Sequence, residues 1–523
     1  MAPDYPWWRT GTIYQIYPRS FADGNGDGVG DLGGITSRIN YLAETLGVDA
    51  IWLSPFYPSP QDDFGYDVTD YCDVDPIYGT LEDFDRLVME AHARGMKVIV
   101  DYVINHTSDC HPWFIESRSS IDNPKRDWYV WRDRPNNWLS LFGGSAWEQD
   151  AATGQHYLHS FLASQPDLNW RNPEVESAMF DVLRFWMERG VDGFRIDVAH
   201  FSMKDPLLRD NPLASRAPAD AFKLTPERAT QIPLHSQAHP DIHALFRRLR
   251  AVVDDYLDLF TVGEIHEFDW SVWARYYGRL DELHMPFNFT LLPAGADPIA
   301  IRAAIRGLES SLPDGAWPNW VAGNHDEPRI ATRLGWEQSQ AMAVILLTLR
   351  GTPTLYYGDE IGMEELDIPP ARQQDPWGRR NPGYGRDGCR TPMQWSPDQH
   401  AGFSTSPGPC WLPVHPAAAD RNVAAELGDP ASHLELYRRL LRLRRLQPAL
   451  HLGDVEVLEG PEAILSYRRS HSDSEAFTIH ANLSGSSREI AAGGLVAIST
   501  DHNREGSPFD GTLAPWEAVI ATG

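Results

Sequence analysis

Residues 175–200 read VESAMFDVLRFWMERGVDGFRIDVAH and contain the unit from which most of the chain is built. Apolar residues recur at helical spacing through 175–189, Gly190 ends that pattern, and the β-branched and aromatic run 193–198 predicts a strand. A helix followed by a strand is the repeating unit of parallel sheets with crossover helices. Comparable runs predict eight strands, at residues 13–18, 50–54, 97–103, 193–198, 260–264, 282–288, 320–323 and 352–357.

Eight strands of this kind predict an α/β fold, a (β/α)₈ TIM barrel, and 523 residues leave room for additions to it. We assign residues 1–105 and 173–446 to the barrel, with helices at 81–94, 175–189 and 434–446. Residues 106–172 predict an inserted subdomain after the third strand, and 359–416 an elaborated loop after the eighth. Residues 447–523 alternate in short apolar runs and predict a C-terminal antiparallel β-sandwich. Both insertions follow carboxyl ends of strands, where barrel enzymes build their active sites.

Composition disfavours several classes of partner. Lys and Arg number 45 against 73 Asp and Glu, and the net charge of −28 repels nucleic acids and anionic membranes, whereas a neutral small molecule is compatible with it. The chain lacks a long apolar run and the pattern of a signal peptide, so we expect no membrane association and a cytoplasmic location. Cys72, Cys110, Cys389 and Cys410 have no CxxC spacing, which predicts free thiols rather than disulfides or a zinc site.

Two carboxylates follow neighbouring predicted strands. Arg195 and Asp197 are two residues apart in the fourth strand, so their side chains leave the same face. An arginine lowers the pKa of an adjacent carboxyl group, as a nucleophilic aspartate requires, although a structural ion pair is the alternative. Glu264 ends the fifth strand in FTVGEIH, whereas Glu267 lies beyond it. Glycoside hydrolysis needs such a pair, one carboxylate as nucleophile and one acid with a raised pKa.

A third strand end carries His325 and Asp326, in NWVAGNHDEP. A His-Asp pair is commonly a surface turn, but this position favours recognition of sugar hydroxyls, which the two side chains can both donate to and accept from. Three carboxylates at three strand ends exceed what structure alone requires.

Together these segments resemble family 13 of the glycoside hydrolases, in particular its bacterial α-glucosidase and oligo-1,6-glucosidase branch. The resemblance runs nearly end to end and implies that Asp197 is the nucleophile, Glu264 the acid/base and Asp326 the transition-state stabiliser of a retaining reaction. It is carried, in the family's order, by WWRTGTIYQIYPRSF, GVDAIWLSPFYPSPQDDFGYDV, DYVINHTS, FGGSAWEQD, QPDLNW, GVDGFRIDV, GNHDEPR, YYGDEIGM and CRTPMQW.

The same resemblance implies a glucose-binding pocket. Asp63 of DDFGYD would fix the hydroxyls of the non-reducing end and Tyr66 would stack under the ring, with a helix cap as the alternative for Asp63. Arg390 of CRTPMQW would pair with Asp63 or a hydroxyl and close the pocket. The remaining implied members of this site are His106, Phe142, Phe161, Arg195 and His325. For the two phenylalanines, the core of the inserted subdomain is an equal alternative.

Residues 23–31, DGNGDGVGD, place oxygen ligands at every second position, as calcium-binding loops do. A plain turn is the alternative from these residues alone. The family resemblance implies one structural Ca²⁺, with Mg²⁺ as a second possible occupant, and no organic cofactor. The implied ligands are Asp23, Asn25, Asp27, the backbone oxygen of Val29, and Asp31.

The resemblance implies an exo-acting α-glucosidase for short α-glucosides, with water or a sugar or alcohol as acceptor, in a monomer or homodimer. Val198 resembles enzymes that accept α-1,6 bonds, whereas FGGSAW, QPDLNW and GRDGCRTPMQW resemble α-1,4-preferring enzymes with strong glucosyl transfer, so the linkage stays open. Transfer as the main activity, sucrose isomerisation and trehalose-forming mutase activity are alternatives. A non-catalytic transporter subunit is disfavoured by the three carboxylates, and an endo-amylase by Asp63 and Arg390.

Overall fold

The computed structural model of the chain describes residues 5–215 and 225–523. Eight parallel strands within those ranges form one sheet. They are β1 (Ile13–Ile16), β2 (Ala50–Leu53), β3 (Lys97–Tyr102), β4 (Gly193–Ile196), β5 (Phe260–Gly263), β6 (Met285–Pro286), β7 (Asn319–Val321) and β8 (Thr352–Tyr356). The order is β7-β8-β1-β2-β3-β4-β5-β6, so the strands from β1 to β6 pair with their neighbours in sequence, β7 pairs with β8, and β8 pairs with β1, while β6 and β7 stand at the two ends of the order. This is the TIM barrel that the sequence predicts.

Helices connect the strands. The first long helix, Leu81–His92, begins at a capping box in which Thr80 and Asp83 each accept a backbone N–H of the other, and Gly95 adopts a φ of +74° just after its end. Helix Pro173–Glu188 begins at Asn172, whose side chain accepts from Glu174 N. The other long connections are Leu32–Ser37, Tyr41–Leu46, Ile242–Asp254, Pro298–Ser311, Trp336–Thr348 and His433–Leu446. Among the described residues, no helix is both long and apolar enough to span a lipid bilayer.

The segment between β3 and helix Pro173–Glu188 forms a small unit of its own. It contains helix Pro112–Ser119 and a three-stranded antiparallel sheet of Trp131–Arg132, His156–Leu158 and Trp147–Gln149. Trp138, Trp147 and Leu158 form a separate apolar cluster inside it. A bridge between His106 and Asp167 joins the two ends of the segment, so that it stands over the end of β3.

Residues 454–522 form the C-terminal β domain. Its five-stranded antiparallel sheet has the order Asp454–Val457, Ile464–His471, Ser474–Asn482, Ala518–Thr522, Leu495–Ser499, and Arg488–Glu489 pairs with Thr512–Leu513. The sheet packs on the barrel helix Trp336–Thr348, where Thr348 bonds to the Tyr467 hydroxyl and accepts from Arg469. Residues 341–348 of this helix are all buried.

Candidate active site

A cavity of about 620 Å³ opens where the barrel strands end. Asp197 and Glu264 come directly after β4 and β5, and Asp326 follows β7, so all three lie at the carboxyl edge of the sheet. Two predicted residues, Arg195 and Arg390, lie behind the cavity wall, buried to 2% and 1% exposure. The predicted residues that line the cavity are Asp63, Tyr66, His106, Phe142, Phe161, Asp197, Glu264, His325 and Asp326.

Arg195 connects the carboxylates at the base of the cavity. Its Nη1 donates to Asp197 Oδ1 at 2.7 Å and to Asp101 Oδ1 at 2.5 Å, and its Nη2 donates to Glu264 Oε2 at 2.5 Å. Asp101 is opposite Arg195 in the pairing of β3 with β4, which explains its place in the cluster. One guanidinium therefore binds both carboxylates of the predicted catalytic pair, whereas the sequence indicated only the Arg195–Asp197 ion pair.

The two carboxyl groups have opposite pKa shifts. Burial raises the pKa of Asp197 well above its usual value, against the effect of Arg195, and the negative charge of Glu264 raises it further. Burial also raises the pKa of Glu264, but Arg195 and His266 outweigh it and hold this pKa below its ordinary range. This is the reverse of the order expected for an acid at Glu264. Because the two groups share one guanidinium, they titrate as a pair rather than independently.

Glu264 has two further donors. His266 Nε2 lies 2.8 Å from Oε1, and the imidazole stacks on Phe289 with ring centres 4.7 Å apart. The Val198 N–H donates to Oε2 at 3.0 Å. Val198 has φ +34° and ψ 46°, a left-handed conformation that costs a β-branched residue about 1–3 kcal/mol. The strained turn therefore directs a backbone N–H at Glu264.

Asp326 faces two arginines and a neutral histidine. Arg386 Nη1 and Arg390 Nη2 donate to its Oδ1 at 3.0 and 2.9 Å. Burial lowers the pKa of His325 to about 3, so the ring is uncharged at neutral pH. The Tyr66 hydroxyl lies 2.7 Å from His325 Nε2. Asp326 is 25% exposed at its side chain and can still reach a ligand in the cavity.

Arg386, rather than Arg390, pairs with Asp63. Arg386 Nη2 donates to Asp63 Oδ1 at 2.9 Å, and Gln165 Nε2 donates to Oδ2 at 3.1 Å. Arg390 is turned to Asp326 and the His325 carbonyl oxygen instead. The two arginines flank the short helix Asp387–Arg390, and the sequence alone gives no indication of which one this helix turns towards Asp63. The Arg390–Asp63 pair is therefore not formed, the alternative that Arg390 binds a sugar hydroxyl stays a prediction, and Arg386 is the arginine at this end of the cavity.

Aromatic side chains form one wall of the cavity. Phe142 and Phe161 pack edge to face, with ring centres 5.8 Å apart, and both line the cavity. Their apolar cluster includes Val198 after β4 and Trp377 from the loop after β8. It is separate from the cluster inside the inserted subdomain. His106 lies behind Phe161 and close to the Tyr66 carbonyl oxygen, at 3.1 Å.

The carboxylates of loop 23–31 are engaged with its own backbone. Asp23 Oδ1 accepts from Gly26 N at 2.6 Å, Asp27 Oδ1 from Val29 N at 2.8 Å, and Asp31 Oδ2 from Gly24 N at 3.0 Å. Among the residues that the structure describes, no three acidic, histidine or cysteine side chains are grouped as a metal site. The carboxylates of the oxygen-rich loop are thus bound by its own amides, and the ion stays a prediction.

Three residues of the site escaped the sequence prediction. Asp101 stands out only as a charged residue inside the buried run KVIVDY, and Arg386 as a second arginine four residues before Arg390. His266 follows Glu264 by two residues in FTVGEIH, a spacing that places both side chains on one side of an extended segment.

Known proteins similar to this chain in sequence and structure include glucosidases and a glucosyl transfer enzyme. The family model "Alpha amylase, catalytic domain" matches residues 15–453. A "Probable alpha-glucosidase" of Rhizobium meliloti is 45% identical over 92% of this chain and 90% of its own length. An "Oligo-1,6-glucosidase" of Heyndrickxia coagulans is 40% identical over 91% of this chain and 92% of its own.

Solved structures extend the comparison. The alpha-glucosyl transfer enzyme XgtA is 41% identical, with a TM-score of 0.92 over 99% of this chain and 100% of its own. The trehalulose synthase MutB from Pseudomonas mesoacidophila is 35% identical, with a TM-score of 0.87 over the same shares of the two chains. The chain therefore belongs to the alpha-amylase family, family 13 of the glycoside hydrolases, in its α-glucosidase and oligo-1,6-glucosidase branch.

Proposed function

We propose that this glycoside hydrolase removes terminal α-linked glucose from short α-glucosides by double displacement, with Asp197 as nucleophile and Glu264 as acid/base. The observation that carries the assignment is the binding of both carboxylates by Arg195 at the base of the cavity. Retaining glycosidases hold their two carboxyl groups about 5–5.5 Å apart. Contact with a single guanidinium is compatible with that short separation.

In the first step Glu264 gives its proton to the glycosidic oxygen while an Asp197 oxygen attacks the anomeric carbon. The bond from that carbon to the leaving oxygen breaks, the alcohol departs, and a glucosyl ester of Asp197 remains. In the second step the Glu264 carboxylate takes a proton from water, whose oxygen attacks the anomeric carbon and releases Asp197. Two inversions leave the product in the α configuration.

Both steps need one proton on the pair, held by Glu264 at the start. In the free protein the pKa shifts favour that proton on Asp197, because Arg195 and His266 stabilise the ionised Glu264. The total charge of the pair is the same in both arrangements, so the pH range of activity is set by the pair. We propose that the bound glucoside favours the productive arrangement by placing its glycosidic oxygen beside Glu264.

An enclosed glucose site supports exo action. Arg386 bonds Asp63, Asp326 and Asp375, and so joins two predicted glucose-binding carboxylates to the loop after β8. Such a wall leaves the terminal glucose no outlet for a further sugar at its non-reducing end. We propose that Asp63 accepts from the hydroxyls of that end and that Tyr66 lies against the ring face.

Transfer of glucose to a sugar or alcohol is the second candidate activity. It is supported by the likeness to the alpha-glucosyl transfer enzyme XgtA and by apolar side chains, Leu141, Ile232 and Phe268, along the cavity. An apolar entrance favours organic alcohols over water as acceptor by lowering the local activity of water. Measuring glucosylated products against free glucose at rising acceptor concentration distinguishes the two activities.

We further propose a divalent cation, Ca²⁺ or Mg²⁺, in loop 23–31. The alternating oxygen donors support it, and the carboxylates of Asp23, Asp27 and Asp31 accept hydrogen bonds from backbone amides of the same loop. The ion would be structural and takes no part in the chemistry above. Elemental analysis of the purified protein tests this, since about one equivalent of bound metal is expected and none contradicts it.

We also propose a cytoplasmic protein that is a monomer or homodimer. The four free cysteines support a reducing compartment. Cell fractionation and light scattering coupled to size exclusion test the two statements, and a secreted form or a larger assembly would contradict them.

The experiment for the proposed function follows glucose release by NMR from maltose, isomaltose, sucrose and maltohexaose. Initial α-glucose from a disaccharide is expected, and initial β-glucose or internal cleavage of maltohexaose contradicts the proposal. Glu264→Gln and Glu267→Gln form a matched pair of variants. A loss of about 100-fold or more in kcat is expected for the first and less than tenfold for the second. The opposite order would assign the acid/base to Glu267.

A further inference from the structure

Arg228 is a buried cation at the wall of the active-site cavity. It begins the short helix Arg228–Thr230, between β4 and helix Ile242–Asp254, and is only 9% exposed. It lines both the main cavity and a small cavity beside it.

The charge of Arg228 has no acidic partner among the described residues. Its only side-chain hydrogen bond in those ranges goes to Gln237 Oε1, at 3.4 Å. By contrast, Arg195 and Arg386 each bind three carboxylates. Burial lowers the pKa of Arg228 to about 10, so it remains charged at neutral pH. A buried charge without a counter-ion is unfavourable, so Arg228, which has none within residues 5–215 and 225–523, is a cation that an anionic ligand in the cavity can pair with.

Arg228 is linked to Glu264 through His200. Its positive charge acts on His200, whose Nδ1 is 3.3 Å from the Glu264 carbonyl oxygen. Gln237, its hydrogen-bond partner, precedes Ala238, whose N–H donates to the His200 carbonyl oxygen at 2.7 Å. Glu264 is the group that would protonate the departing oxygen, so a side chain in its vicinity meets the leaving group.

The surroundings of Arg228 differ from those of the closed end. Ile232, Pro233 and Leu234 line the cavity beside it, whereas Asp63 and Arg386 line the end proposed for glucose. A cavity of about 620 Å³ falls in the range that holds drug-sized ligands, about 300–1,000 Å³, and has room for more than one hexose. Apolar walls exclude water and strengthen the interaction of a guanidinium with an anion.

We propose that Arg228 binds an anionic group, a carboxylate or a phosphate, carried by the leaving alcohol of the substrate or by the acceptor. The proposal rests on the proposed function, and it names the class of glucoside for which the site is selective. The planar guanidinium matches both oxyanions in a bidentate manner, and Gln237 holds one of its nitrogen atoms. The selectivity comes from binding alone, so the displacement at Asp197 is unchanged.

The test uses the whole protein and two aryl α-glucosides of equal shape, with a 4-carboxyphenyl or a 4-carbamoylphenyl leaving group. The unmodified protein is expected to show a kcat/KM at least tenfold higher for the carboxylate than for the amide. A ratio of one or below overturns the proposal whatever any variant does. A third glucoside, with a phosphate in place of the carboxylate, shows which oxyanion is preferred.

Variants identify Arg228 as the cause. Arg228→Gln is expected to lower kcat/KM for the carboxylate about tenfold or more and to leave the amide within twofold, and Arg228→Lys to keep part of the preference. Arg209→Gln is the matched control, because Arg209 is on the same segment and exposed, paired with Asp205. An equal loss for both glucosides in Arg228→Gln contradicts the proposal and indicates a structural role.

Failure of this proposal is distinguishable from failure of the proposed function. If the protein turns over 4-nitrophenyl α-glucoside with retention but does not prefer the charged leaving group, only the proposed role of Arg228 is rejected and the proposed function stands. If Arg228→Gln does not fold, inhibition of the unmodified protein by benzoate against benzamide decides the question. Tighter inhibition by benzoate, by tenfold or more, supports the anion site, and equal inhibition overturns it.

Discussion

Replacing Arg386 by glutamine tests the closed end of the cavity. Its side chain is 7% exposed and forms ion pairs with Asp63, Asp326 and Asp375 at 2.9, 3.0 and 2.7 Å. Loss of one partner of a buried ion pair costs about 3–5 kcal/mol, because it leaves a charge without compensation. For 523 residues unfolding together, the unfolding entropy is about 1.1 kcal/mol per kelvin. We therefore expect the melting temperature to fall by about 3–4 °C at pH 7.

The stability difference should depend on pH with a defined sign. Burial raises the pKa of Asp375, but Arg386 and Arg390 outweigh it and hold this pKa below its usual value. A depressed folded pKa gives stability that is present above the unfolded value, about 3.9, and is lost as the pH falls through the folded one. The difference in melting temperature between Arg386→Gln and the unmodified protein should thus be largest at neutral pH and become smaller below about pH 4.

Differential scanning calorimetry at pH 7 and at acidic pH measures both effects. Arg379→Gln is the matched control, since Arg379 is exposed in helix Pro376–Arg380 and its contacts are to Gln373 and Gln374. Its melting temperature should stay within about 0.5 °C, as for most surface substitutions. The reasoning would be refuted if Arg386→Gln and Arg379→Gln lowered the melting temperature equally. It would also be refuted if the difference between Arg386→Gln and the unmodified protein increased at acidic pH.

Glu264→Gln should slow glucosides with poor leaving groups far more than α-glucosyl fluoride, because fluoride departs without general-acid help; an equal loss in burst kinetics would contradict the acid role. His266→Asn removes a donor that lowers the pKa of Glu264. That pKa should rise, so the decline of kcat/KM on the basic side should move to higher pH. If the pH of this decline does not change, His266 only packs on Phe289 and does not set the pKa of Glu264. Chelation should lower the melting temperature of the unmodified protein by a few degrees and leave Asp27→Ala unaffected; equal curves would argue against the ion.

The barrel could be read from sequence because each strand is a short apolar run between helix signals. β3 (Lys97–Tyr102) and β4 (Gly193–Ile196) lie inside the predicted runs 97–103 and 193–198. The carboxyl ends of β4 and its neighbour β5 (Phe260–Gly263) then bring Asp197 and Glu264 together, since neighbouring parallel strands end at one edge. Periodicity is local information, and it sufficed to place Asp197, Glu264 and Asp326 after strands, but it did not indicate Asp101, which lies opposite Arg195 in the pairing of β3 with β4.

Long loops could not be read in the same way. Arg386 and Arg390 are equivalent in sequence, and only the backbone turn at Asp387–Arg390 directs one to Asp63 and the other to Asp326. The pKa of Glu264 likewise depends on contacts across two strands that no sequence pattern specifies. Nothing in the sequence indicates Arg228, because its lack of an acidic partner within residues 5–215 and 225–523 is a property of the folded surroundings.

The central claim is that Asp197 carries the glucosyl group between the two steps. The most direct measurement is mass spectrometry of the Glu264→Gln variant after brief reaction with α-glucosyl fluoride and rapid acid quench, with peptides mapped across residues 193–200. The account predicts one added glucosyl group on Asp197 and none in an Asp197→Asn, Glu264→Gln double variant. An adduct on another residue, or rapid turnover of the fluoride to β-glucose without any adduct, would contradict it.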